Sequence, residues 1–328
     1  MPKRALVTGA AGFIGRYVVA ALEAAGWSVT GYDVQPQPAN IDCRWVKASI
    51  LDGAALTEAM EGCSHVFHLA AHAHLSAPKP DIYQQINVEG SRQVLHAAAH
   101  SEVDHLIVTS SAVIWQAPGA HGEITEQSPL PARGDLAGPY ARSKWDLDAL
   151  LKQHAGAIPR LTTLYPTVPI GAGDYGFTAP TQMLDMFLKN PPPAVLRTVF
   201  NFVPVCDLAQ AHVLAASAPG PAQARYLLSG ETWSMNDVLA SLSAITEREM
   251  PSRAVPYWLA RLAAGVSEPV AHLRGHHALS SVEGVRLARS EVRFRHAAAM
   301  AQLGWAPTPV IDALKQAVAW LSKTSRLV

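Results

Sequence analysis

Cysteine is scarce in this chain: Cys43, Cys63 and Cys206 are the only three in 328 residues, far apart and outside any CxxC pair. That excludes a disulfide framework and a thiolate metal site, and it makes a reducing compartment, the cytoplasm, the expected setting. Net charge is lacking as well, since 26 Lys plus Arg balance 26 Asp plus Glu. A neutral chain carries no global electrostatic footprint for nucleic acid or an anionic membrane, so neither is expected as a partner. Charged residues of either sign reach only 16%, against about 25% in an average globular protein. With 49% apolar residues, that shortage points to large buried surfaces, an apolar site or subunit contacts, and not to disorder. Long apolar runs are missing too. Lys3-Arg4 before Ala5-Leu6-Val7 has the beginning of a secretory signal, but Gly9, Gly12, Gly15 and Arg16 interrupt it. No later window supplies the roughly 18 uncharged apolar residues of a membrane span.

What the chain does have is alternation. Ala5–Val7, Trp27–Asp33, Arg44–Ala48, His65–Ala70 and Leu106–Thr109 are short apolar strand candidates, most of them followed by helix-like segments. Longer helices are expected near Ile82–His100 and Tyr140–His154, with further strands at Leu161–Leu164 and Tyr226–Ser229. Strands alternating with helices argue an α/β fold, a doubly wound parallel sheet of about seven strands. After Tyr165 the character changes, with Pro166, Pro169, Gly171, Gly173, Gly176 and the Pro191–Pro193 run punctuating loops. This places a first domain at 1–166 plus 200–229, and a smaller, discontinuous lobe at 167–199 plus 230–328.

Thr8-Gly9-Ala10-Ala11-Gly12-Phe13-Ile14-Gly15 sets three glycines between the first strand and first helix, where a pyrophosphate can approach the backbone and face a helix N-terminus. By itself such a triplet can be an ordinary turn. Asp33 ends the second strand 18 residues after Gly15, near the offset at which an acid accepts from ribose hydroxyls. No Lys or Arg occurs from Val34 to Cys43, so NAD is expected in preference to NADP. Tyr140 and Lys144 stand four apart on one helix face. A phenol of pKa about 10 works as a base near neutrality only if a positive field lowers it by about 3 units. Ser110-Ser111 at a strand end adds a hydroxyl for the same reacting oxygen, although strand-end serines more often cap a turn.

These segments, with His68-Leu69-Ala70-Ala71, Asn87-Val88-Glu89-Gly90, Thr109-Ser110-Ser111-Ala112, Phe202–Ala209 and Leu303-Gly304-Trp305-Ala306-Pro307, stand in the order and spacing of the extended short-chain dehydrogenase/reductases. The resemblance covers nearly the whole chain. It implies a Rossmann-type NAD enzyme in which Tyr140 is the acid/base, Lys144 lowers its pKa and holds the nicotinamide ribose, Ser111 donates to the substrate oxygen and Asn87 supports the site. Gly9, Gly12, Phe13, Ile14, Gly15, Asp33, Ala70 and Ala71 would form the cofactor shell. Tyr165–Asp174 and Ser281-Val282-Glu283-Gly284-Val285-Arg286 resemble the branch of hopanoid-associated sugar epimerases, beside dihydroflavonol reductases and 3β-hydroxysteroid dehydrogenases. The resemblance further implies a homodimer packed through the helices near 82–100 and 140–154, where Val88, Val94, Leu95, Ala98, Leu147, Leu150 and Leu151 supply apolar residues at helical spacing.

Departures from the family pattern bear on the substrate. Ser49 stands where many members have an acid near adenine, and Tyr165-Pro166 replaces the Arg-Pro common in nucleotide-sugar epimerases. Only scattered arginines, Arg197, Arg253 and Arg286, are left to clamp a diphosphate. Tyr165, Phe177, Met183, Met186, Phe187 and Trp258 are candidate substrate lining, with the reservation that Met and aromatics at helical spacing more often form core. His72 and His74, just past the fourth strand, are candidate substrate contacts. None of the paired histidines (His65/His68, His72/His74, His276/His277) has a matching acid or thiolate set, so no metal is expected. The reading is an NAD-dependent oxidoreductase acting on a secondary alcohol or ketone. Its rivals are a sugar epimerase, which returns the hydride and releases no NADH, and a non-catalytic NAD-binding sensor, which would need no Ser111, Tyr140 and Lys144 set.

Overall fold

In a computed structural model, residues 3–154, 156–273 and 280–324 are described. His276 and His277 lie outside them. Seven parallel strands form the main sheet in the order β10-β7-β5-β4-β1-β2-β3. They are β1 (Arg4–Thr8), β2 (Ser28–Asp33), β3 (Arg44–Lys47), β4 (His65–His68), β5 (His105–Thr109), β7 (Arg160–Pro166) and β10 (Gln223–Leu228). The chain starts in the middle, runs outward through β2 and β3, then returns to the other side of β1 with β4. The strand order reverses there, and in such sheets the crevice at the carboxyl ends of the reversing strands is where ligands sit.

A parallel sheet must be covered on both faces, and the period-two alternation of its strands decides which residue goes where. Ala5, Val7, Phe67, Ile107 and Leu164 pack into one core with the helices α1 (Phe13–Ala24) and α6 (Val205–Ser217). Leu6, Val66, Leu106 and Val108 face the other core, under α2 (Gly53–Met60), α3 (Ser91–His100) and α4 (Pro139–Gln153). The expected helix near 82–100 is present, but its first part, Tyr83–Gly90, is wound as a π-helix that runs into α3.

Val88, Val94, Leu95, Ala98, Leu147, Leu150 and Leu151 all belong to the second core and are buried. The apolar stripe expected to serve a dimer therefore packs on this chain's own sheet, because helices covering a parallel sheet spend their apolar face there first.

The smaller part is built from α5 (Ala179–Lys189), α7 (Met235–Thr246), α8 (Tyr257–Leu273), α9 (Val282–Leu287) and α11 (Val310–Thr324) with two small sheets. One sheet has the order β11-β9-β8, from Glu231–Ser234, Val199–Pro204 and Val168–Ile170. The other pairs β12 (Glu291–Phe294) with β6 (His121–Ile124). The expected domain boundaries shift in two places. Residues 200–204 pair with β8 and β11 and not with the main sheet. In the opposite sense, α10 (Ala297–Leu303) and Trp305 pack into the first core beside α1 and α6. Phe202 points into the lobe's core and Val203 into that of the main sheet, so β9 joins the two. Among the described residues no helix is long and apolar enough to cross a membrane.

Candidate active site

At the carboxyl end of β1 the chain turns through Gly9, whose φ of +71° is left-handed. A Cβ there would lie 2.6 Å from the Ala70 nitrogen, so the turn presses against the end of β4 too closely for any side chain. A Cβ on Gly15 would land on the Gly9 carbonyl oxygen. Gly12 is the N-cap of α1 and no side chain caps the helix, so its first amides are left for an anion. Asp33 closes the turn: its carboxylate accepts from Ala11 N at 3.0 Å and from Gln35 N at 2.9 Å. Gly9, Gly12, Phe13, Ile14, Gly15, Asp33, Ala70 and Ala71 all line one cavity of about 1250 Å³. Ser49 lines it too, with its carbonyl accepting from the Tyr32 hydroxyl at 2.8 Å.

The same cavity reaches the ends of β5 and α4, where it meets Ser111, Tyr140 and Lys144. The Ser111 hydroxyl caps the short turn Ala112–Trp115 and hydrogen-bonds the Tyr140 phenol. Lys144, 3% exposed, donates to the Thr109 carbonyl at 3.3 Å. Burial lowers its ammonium to a pKa of about 8. Burial pushes Tyr140 the other way, up to about 12; the Ser111 hydrogen bond opposes this and the nearby Glu283 charge adds to it. A phenol acting as a base near neutrality needs the opposite shift. The chain's own groups leave Tyr140 protonated at neutral pH, since desolvation outweighs the fields around it.

Asn87 is buried one layer back. Its amide accepts from His72 N at 2.8 Å and donates to the His72 carbonyl at 3.1 Å and to Ser143 Oγ at 2.9 Å. It ties the 70–74 loop to α4 without lining the cavity. His72 and His74 do line the cavity, their rings 5.5 Å apart, and Tyr83 donates to the His74 carbonyl at 2.7 Å.

Several proposed substrate contacts lie elsewhere. Tyr165 is 1% exposed and its hydroxyl donates to Asp148 while accepting from Arg225 Nε at 2.9 Å, because the alternation of β7 turns it away from the cavity. Phe177 and Phe187 belong to the lobe's core, Phe177 with its ring 6.0 Å from that of Trp320. Trp258 is exposed on the outside of α8, and Arg197 lines a separate, smaller hollow. Met183 and Met186 line the cavity as expected, joined by Leu196, Phe200 and Val285. Among the described residues the charged ones of the lining are Arg16, Asp33, Lys144 and Asp174. Among the described residues no group of three or more His, Cys, Asp or Glu is placed to hold a metal.

The segment Ser281–Arg286 holds Glu283, whose role nothing in the local sequence shows. From α9 this carboxylate, 4% exposed, accepts from Tyr140 N at 3.1 Å and Ala141 N at 2.8 Å, capping α4 at the tyrosine itself. Gly138 makes room, since a Cβ there would collide with Glu283. Burial raises Glu283 to a pKa of about 7, against the two amide hydrogen bonds and Arg142. The only advance signal was a helix start, Gly138-Pro139, without a Ser, Thr, Asp or Asn cap of its own.

The family described as "NAD dependent epimerase/dehydratase family" matches residues 5–228. A Synechocystis sp. protein that carries the name of a dihydroflavonol 4-reductase is 30% identical over 325 residues, covering 96% of this chain and 93% of its own. "Sterol demethylase protein B" of Methylococcus capsulatus is 27% identical over 323 residues, 96% of this chain and 97% of its own. A solved structure titled "Crystal structure of gox2253" superposes with a TM-score of 0.83 at 27% identity, over 99% of both chains. The glycine turn, the reversing strand order and these matches agree: the chain belongs to the NAD dependent epimerase/dehydratase family, within the extended short-chain dehydrogenase/reductases, and is an NAD-dependent enzyme of oxidoreductase or epimerase type.

Proposed function

We propose that the enzyme interconverts an uncharged, largely apolar secondary alcohol and its ketone, with Tyr140 exchanging the hydroxyl proton. The observation that carries this is the convergence of Ser111, Tyr140 and Lys144 on a cavity that Met183, Met186 and Phe200 also line. The glycine turn fits a dinucleotide, since a Cβ at Gly9 would fill the cradle and the α1 amides are uncapped. The backbone of Gly9–Ile14 would hold the pyrophosphate, Asp33 the adenine ribose, and Lys144 the nicotinamide ribose. NAD, when bound, supplies hydride donor and acceptor chemistry and a positive charge in its oxidised form. As the residues stand, the protonated Tyr140 donates its O–H to a ketone oxygen and Ser111 holds that oxygen, which suits reduction. Asn87 fixes the spacing of α4 from the 70–74 loop, and His72 and His74 border the substrate.

Among the described residues a diphosphate would find only Arg16 and Lys144 as cations of the lining, beside the glycine turn and Tyr140, so a nucleotide sugar is the weaker substrate. Relatives named for a dihydroflavonol and a sterol are in keeping with an apolar ring compound. The family resemblance also points to a homodimer in the cytoplasm. With the apolar stripe buried, that dimer would pair α3 and α4 through their polar outer faces, and light scattering decides it. The chemistry is tested by following NADH absorbance with apolar ketones and by Tyr140→Phe. The variant should bind NAD like the wild type in calorimetry and lose about 10² to 10⁴ in turnover. Retained turnover would reject Tyr140 as the acid/base, and conversion of a sugar without net NADH change would favour the epimerase.

A further inference from the structure

Nine large apolar side chains are exposed among the described residues, and six of them sit on α8: Trp258, Leu259, Leu262, Val266, Val270 and Leu273. Val266 is 70% exposed and Leu273 88%. At 100° per residue they fall on one outward arc together with Gly265 and Pro269, and no charged residue stands among them.

Three polar residues of α8 are engaged by neighbouring segments of the chain. Glu268 accepts from Val282 N at 2.9 Å, Ser267 donates to the Ser280 carbonyl at 3.3 Å, and His272 meets Ser76 Oγ at 2.6 Å. An ordinary surface helix buries its large apolar side chains; α8 buries only Ala264 and leaves six large apolar side chains in solvent. Its inner side braces Ser76, Ser280 and Ser281, which line the cavity.

We propose that the outer face of α8 docks on a lipid surface, lying in the interface with its apolar side chains among the acyl chains and without spanning. The size of the face argues against a second protein. Seventeen residues make a helix about 25 Å long and about 10 Å wide, so the face offers roughly 250 Å², far below the about 800 Å² per partner of a stable protein interface. A protein partner would also meet a polar rim, whereas the exposed charge of α8 among the described residues is Arg261, on the flank of the arc, where it would reach headgroup phosphates. Trp258 at one end suits the headgroup boundary. Because the chain is neutral overall, attachment is driven by apolar insertion and not by anionic lipid. The helix that holds the cavity wall would thereby bring the cavity next to a reservoir of apolar molecules.

The test is flotation of the full chain with phosphatidylcholine vesicles, with and without phosphatidylglycerol, at low and high salt. Both vesicle types should carry the wild type, with little effect of salt. A Leu262→Gln, Val266→Gln, Leu273→Gln variant should lose partitioning by on the order of a hundredfold while still binding NAD. In a second measurement, brominated phosphatidylcholine should quench tryptophan emission of the wild type, and Trp258→Phe should remove most of the vesicle-dependent quenching. The proposal is overturned if the wild type does not float, if the triple variant floats equally well, or if quenching survives in Trp258→Phe. A wild type that is a dimer only through this face, and a triple variant that is monomeric with neither floating, would also overturn it and show a self-interface.

Discussion

Glu283→Gln should make the protein more stable at alkaline pH and slower at its chemistry. In the fold Glu283 titrates near 7, against an ordinary 4.5, because burial costs the carboxylate more than its two amide partners and Arg142 return. An acid whose folded pKa lies above its unfolded value keeps in the fold a proton that the unfolded chain has released. Stability from this group is therefore greatest below about pH 4.5 and falls as pH rises through about 7. A shift of that size amounts to about 3 kcal/mol. Gln resembles the protonated acid: it offers one carbonyl oxygen and stays neutral. Urea unfolding should find the two proteins within about 1 kcal/mol at pH 5 and the variant ahead by about 2–3 kcal/mol at pH 8. Only the carboxylate accepts from Tyr140 N and Ala141 N together, so the variant holds the start of α4 less firmly. Turnover should drop by about tenfold with the KM for NAD unchanged. The groups facing Glu283 are Arg142, which lowers its pKa, Glu268, which raises it, and the phenols of Tyr83 and Tyr140, whose own pKa values its charge raises. A wild type and variant with parallel stability–pH curves would refute the reasoning, as would unchanged turnover.

Four buried histidines produce the opposite slope: His65 and His212 are held near pKa 4 and His68 and His105 near 3, each chiefly by burial. Below about 6.5 the unfolded chain takes up protons that the fold refuses, so stability should be lost as pH falls from about 6.5 toward 4, and His212→Asn should flatten that loss in urea titrations. Asp33 should set cofactor choice: calorimetry should show NAD bound at least about tenfold more tightly than NADP, and Asp33→Ala should narrow the gap, because a carboxylate that meets a 2′-phosphate repels it. Gly9→Ala places a methyl 2.6 Å from Ala70 N at a φ of +71°, so NAD should no longer raise its melting temperature, while a full thermal shift would show that the turn can give.

The nucleotide half of the molecule was written into local sequence. Strand and helix periodicity with a glycine turn at a strand end suffices to expect a parallel sheet, since strands alternating with helices bury both faces that way, and the Tyr140–Lys144 spacing puts both on one helical turn. Other features depended on contacts between distant segments, which no local pattern encodes. Tyr165 follows a strand as a substrate residue might, yet the pleat of β7 hands it to Asp148 and Arg225. Phe177 and Phe187 carry the same composition signal as Met183 and Met186, and only the packing of α5 and the turn before it against the lobe's core decides which pair lines the cavity. Strand β9 reads as part of the nucleotide domain until β11, about 30 residues later, claims its edge. Glu283 stands 143 residues from the tyrosine nitrogen it caps. Sequence alone therefore determined the sheet, the glycine turn and the Ser111, Tyr140 and Lys144 set. The tertiary structure decided the pKa values, the lining and the clamp, because burial and distance arise only when remote segments meet.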